Sequence, residues 1–74
     1  MSDAQQLSIW TVYDHPRDYP HCYVARQFRG EQPTNSILIS ADLEVLREVL
    51  LVDMGLTRLE RDVSDDPVIL ETWL

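Results

Sequence analysis

Apolar and polar positions alternate across Leu7-Ser8-Ile9-Trp10-Thr11-Val12-Tyr13, with β-branched and aromatic residues dominating the run. Ile9, Thr11 and Tyr13 fall on one side and Trp10 and Val12 on the other, which predicts a strand. The period breaks at Asp14-His15-Pro16-Arg17-Asp18-Tyr19-Pro20. Two prolines there remove backbone donors, and each aspartate can bond nearby amides in a turn. Alternation resumes from Cys22 to Arg29, with Cys22, Val24, Arg26 and Phe28 on one side. The connection is too long for a tight two-residue hairpin. Gly30 to Asn35 reads as the next turn, and Ile37-Leu38-Ile39 is a short apolar run that fits a third strand.

From Ala41 to Met54 the period changes. Leu43, Leu46, Val49, Leu50 and Met54 recur at the spacing of one helical face. Ser40 suits the N-cap, Asp42 suits the positive end of the helix dipole, and Gly55 suits the left-handed position after the last turn. Glu44 and Glu48 project from the opposite face, with Arg47 between them. Leu56 to Arg61 then predicts a strand, Asp62-Val63-Ser64-Asp65-Asp66-Pro67 an acidic turn, and Val68 to Leu74 a last strand. In that strand Val68, Leu70, Thr72 and Leu74 share one face and Ile69, Glu71 and Trp73 the other.

The order β-β-(β)-α-β-β predicts a single α+β domain over residues 1–74. Its antiparallel sheet has about four strands, with one helix packed on one face. One helix covers one sheet face only. Trp10 and Trp73 fit either the core or an aromatic patch on the face left bare.

Seventy-four residues bound what such a fold can do. A chain of this size buries roughly 60% of its unfolded surface, and its core supplies roughly 3–5 kcal/mol. A large internal cofactor is hard to house on that margin, and none is expected. The single cysteine, Cys22, forms no intrachain disulfide, which fits a reducing compartment. No run approaches the roughly 20 apolar residues of a membrane span, and the N-terminus lacks the basic and apolar parts of a signal peptide. A cytoplasmic protein is expected.

The net charge of −7 is uneven. Residues 1–40 hold four acids and three arginines (−1), whereas residues 41–74 hold nine acids and three arginines (−6). The acidic half repels nucleic acid and anionic membrane and is steered toward basic surfaces. A charge of this size also serves solubility alone.

Candidate chemistry is sparse. Asp14, His15, His21 and Cys22 carry donor types that zinc accepts, but their spacing is not that of a finger or knuckle. Cys22 has no glycine-rich or helix-start context to serve an oxyanion, so it reads as a small buried hydrophobe. Asp62, Asp65 and Asp66 lack the glycine and distal glutamate of a calcium loop. With only Gly30 and Gly55, the chain has no glycine-rich phosphate loop. Arg17, Arg26 and Arg29 are too few for a nucleic-acid footprint.

The stretches YDHPRDYP (Tyr13 to Pro20), Leu43 to Arg47 and DDPVILETW (Asp65 to Trp73) together resemble a group of small proteins with no secure enzymatic activity. Those proteins are encoded in bacteria, phages and mobile elements. The resemblance covers most of the chain, and it carries over no catalytic residue. Its setting implies an analogy, at the level of class alone, to anti-CRISPR inhibitors that occupy nucleic-acid-binding surfaces.

The expected function is therefore a non-enzymatic, acidic interaction protein, an anti-CRISPR-type inhibitor in its sharpest form. Glu44, Glu48, Asp62, Asp65 and Asp66 would meet a basic protein surface, such as a CRISPR effector component, with Tyr19 or Trp73 as aromatic anchor. No metal and no direct nucleic-acid contact are expected. The alternative is a homo-oligomeric structural or regulatory module, a homodimer through the bare sheet face. A small metal-dependent enzyme built on His15 and His21 is a third reading.

Overall fold

The computed structural model describes residues 8–60 and 67–74. Five strands form one antiparallel sheet: β1 (Ser8–Asp14), β2 (Tyr23–Arg29), β3 (Gln32–Ser40), β4 (Arg58–Glu60) and β5 (Ile69–Trp73). Their spatial order is β3-β2-β1-β5-β4, so β1, the most strongly alternating segment, lies at the centre. The helix α1 (Leu43–Glu48) follows β3 and runs on into a π-helical turn (Val49–Asp53).

The fold is thus the expected α+β arrangement, with five strands rather than about four. The difference lies chiefly in β3, which takes in most of the segment expected to be a turn. Arg29 pairs with Gln32, leaving only Gly30 and Glu31 to turn the chain. Gly30 has φ 64° and no other residue of the turn has a positive φ, the pattern of a type II′ hairpin. Pro33 and Asn35 are tolerated because β3 is an edge strand, where a missing donor faces no neighbour. The pairing shifts register between Arg26 and Phe28, and the Thr34 hydroxyl donates to the Gln27 carbonyl at 3.1 Å across the irregularity.

The core lies between the helix and one sheet face. Trp10 stands opposite Trp73 across β1 and β5, and Val12 stands opposite Ala25 across β1 and β2. Leu46 and Leu50 from the helical segment close the cluster, and all six residues are buried. Both tryptophans therefore lie on the helix-covered face, and no aromatic patch forms from them on the other. Leu43, Leu46 and Leu50 pack inward as their spacing predicts, whereas Met54 is exposed.

The helix begins two residues later than expected. Asp42 is the N-cap, and its carboxylate accepts the Glu44 amide at 2.9 Å. Ser40 acts one step earlier, accepting the Asp42 amide at 3.0 Å. At the far end Met54 donates to the Val49 carbonyl and Leu56 to that of Leu50. The second bond spans one residue more than a Schellman closure, as the wider π turn requires. Gly55 has φ 67°, the left-handed geometry its position predicts.

Candidate functional site

Two concave surfaces lie on opposite sides of the sheet. The first is an open groove of about 470 Å³ between the helical segment and the β4-β5 end of the sheet. Glu44, Arg47, Glu48, Leu51 and Val52 line it from the helix side, and Arg58 and Trp73 from the sheet.

Beneath the groove sits a charge network that alternation alone hints at. Glu71 shares a face with the core residue Trp73 and is 2% exposed. Arg47 reaches down from the helix and donates to it twice, Nε to Oε2 at 3.1 Å and Nη2 to Oε1 at 2.8 Å. The Trp73 indole donates to Oε2 at 2.9 Å, and an Arg58 guanidinium nitrogen lies 3.6 Å from Oε1. Burial by itself raises the Glu71 carboxyl. The Arg47 and Trp73 hydrogen bonds, with the Arg47 and Arg58 charges, outweigh it and hold the group below its ordinary 4.5. Arg47 is raised in turn, first by its hydrogen bond to Glu71, against the opposing effect of its own desolvation.

This arrangement sets the outward charge of the groove. Both arginines turn toward Glu71, and Arg47 also meets Glu44 at 3.2 Å. Glu48 makes no ion pair among the described residues. Beside it Val45, Leu51 and Val52 stand 51%, 56% and 66% exposed, a cluster that folding alone does not require at the surface.

The structure therefore brings Glu44, Glu48 and Trp73 into one groove. Trp73 floors it at 3% exposure, with its N–H committed to Glu71, so it offers no projecting side chain. Tyr19 lies in the β1-β2 connection and does not line this groove. Asp62, Asp65 and Asp66 lie outside the described residues. Sequence reasoning missed Arg47, Arg58, Leu51 and Val52 as members of the surface. The available signal was Glu71, a carboxylate alternating with residues that belong in a core.

The second surface is formed where the β1-β2 connection meets the uncovered sheet face. Tyr19 donates its amide to the Pro16 carbonyl at 2.9 Å, and Cys22 donates to Tyr19 at 3.1 Å, giving two successive turns. His15 adopts φ 51°, its amide donates to the Cys22 carbonyl, and its ring meets Asp14 and packs 4.7 Å from the Tyr23 ring. Pro16 and Asp18 wall a hollow of about 370 Å³ whose floor is Tyr13, Val24, Arg26 and Phe28, with Pro33 of β3 on its margin. No group of three or more His, Cys, Asp or Glu side chains is placed to hold a metal ion among the described residues. Among them, no helix is long and apolar enough to cross a membrane.

No family model, curated protein or solved structure matches the chain.

Proposed function

We infer that this domain is a non-enzymatic interaction module whose helix and adjoining groove bind a basic protein surface. The observation that carries the reading is the helix exterior itself. Exposed Val45, Leu51 and Val52 stand beside the carboxylates of Glu44 and Glu48, in a chain of net charge −7. Apolar side chains supply area to desolvate, and acidic neighbours select a cationic partner and speed its approach. Arg47 and Arg58 also line the groove, but both sit against the Glu71 carboxylate, which offsets part of their charge there. In its sharpest form the module inhibits a nucleic-acid-binding protein, meeting the arginines and lysines that otherwise hold phosphate.

The test compares wild-type protein with E44K/E48K and with L51S/V52S as immobilised baits, after thermal unfolding confirms that each variant is folded. Salt-sensitive retention of proteins with basic surfaces by the wild type, lost from both variants, is the expected result. Equal retention by wild type and E44K/E48K overturns the acidic-surface reading.

A further inference from the structure

The hollow on the uncovered sheet face has a composition that packing does not explain. Val24 is 3% exposed yet stands outside the core cluster beneath the helix. It pairs with Tyr13 and Ile39, so it belongs to the opposite face of the sheet. Pro16 and Asp18, in the connection between Asp14 and Tyr23, help enclose that region. The result is a recess walled by two prolines and two aromatic rings, with a single cation, Arg26, in its floor.

Arg26 is half-buried and makes no ion pair among the described residues, whereas Arg47 and Arg58 both meet carboxylates. A guanidinium among apolar groups, short of its hydrogen-bonding capacity, favours an anion that can accept from its planar fork. Tyr13 also lines the recess. Burial raises its pKa, with the Arg26 charge opposing, so it stays protonated and able to donate near neutral pH. Convergent polar groups in an apolar recess are the usual composition of a small-ligand site.

We propose that the recess bounded by Tyr13, Pro16, Asp18, Val24, Arg26 and Phe28 binds a small monocarboxylate with an aromatic or branched apolar body. The carboxylate meets the Arg26 guanidinium and the Tyr13 hydroxyl, and the body lies between Phe28 and the prolines. Asp18 in the wall of the recess disfavours a second anionic group, and the net charge of −7 works against polyanions such as nucleic acid. This site is independent of the acidic groove, which lies beyond the helix-covered face.

The probes are phenylacetate, benzyl alcohol and phenethylamine, titrated into the full chain and followed by two-dimensional NMR. Phenylacetate is expected to perturb Tyr13, Val24, Arg26 and Phe28, and to bind about tenfold or more tightly than the neutral and cationic probes. R26Q is expected to lose that preference and R26K to keep part of it, both with otherwise unchanged spectra. No perturbation by phenylacetate in the millimolar range overturns the site. Equal binding of phenylacetate and benzyl alcohol overturns the anion assignment, and this comparison in the wild type stands even if R26Q fails to fold.

Discussion

Arg47 of the helix and Glu71 of β5 are joined by two hydrogen bonds, at 3.1 and 2.8 Å, across 24 residues of sequence. One partner is 31% exposed on its side chain and the other 3%, so the pair ties a surface helix to the interior of the sheet. Arg47→Met strands the Glu71 carboxylate and is expected to cost about 2–3 kcal/mol. That is less than the about 3–5 of a fully buried pair, because Arg58 remains and solvent reaches the site. The double variant R47M/E71M removes the stranded charge and should recover most of the loss. What remains is about 1 kcal/mol for the unpaired Trp73 N–H. Urea unfolding of the three proteins measures this, and a double variant no more stable than R47M would contradict it.

Acid should weaken the same tie. Glu71 has a folded pKa below its ordinary 4.5, so it binds its proton less readily in the native state than in the unfolded chain. Its contribution is complete above the unfolded value and is lost as pH falls through the folded one. Stability measured by thermal unfolding from pH 7 to 3 is expected to decline below about pH 4.5. In Glu71→Gln the decline should be shallower, since the variant has no carboxyl to titrate.

The two residues before the helix divide the capping between them, which separates their variants. Asp42→Ala removes the acceptor of the Glu44 amide and is expected to cost about 1 kcal/mol. Ser40→Ala removes bonds to the Asp42 backbone, outside the helix, and should cost about half as much. A larger loss for Ser40→Ala in chemical denaturation would restore Ser40 as the N-cap.

His15 is the one non-glycine residue with positive φ among the described residues. A β-branched side chain is poorly tolerated there, so His15→Val should lose about 1–2 kcal/mol. Asn accepts this conformation, and His15→Asn should lose less, limited to the contacts with Asp14 and Tyr23. Equal losses would assign the effect to the ring contacts rather than to the backbone.

Leu50 is fully buried, at the junction of the helical segment and both tryptophan strands. Leu50→Ala leaves a cavity and is expected to cost about 2–5 kcal/mol. In a core worth roughly 3–5 kcal/mol in all, that suffices to populate the unfolded state at room temperature. Far-ultraviolet circular dichroism reports it directly.

Local pattern alone determined the strand character of Ile9 to Tyr13, the inward leucines of the helix, the left-handed Gly55 and the α+β order, because alternation and helical spacing are properties of neighbours in sequence. Edge placement decided β3: Pro33 and Asn35 read as turn residues until the sheet order pairs their strand with β2 on one side and leaves the other side without a neighbouring strand. Tertiary packing also decided which face holds Trp10 and Trp73, since alternation pairs residues into sets without saying which set the helix covers. Trp73, expected as an anchor, became a groove floor for that reason.

The candidate surfaces divide the same way. Glu44 and Glu48 were legible as an exposed helical face from spacing. Arg47 pointing at Glu71 was not, because that contact joins a helix to a strand 24 residues on and depends on the sheet's register. The recess around Arg26 needed still more. It exists only because the turns from Asp14 to Cys22 return to the uncovered face, a placement set by His15 and the hydrogen bonds among Pro16, Tyr19 and Cys22.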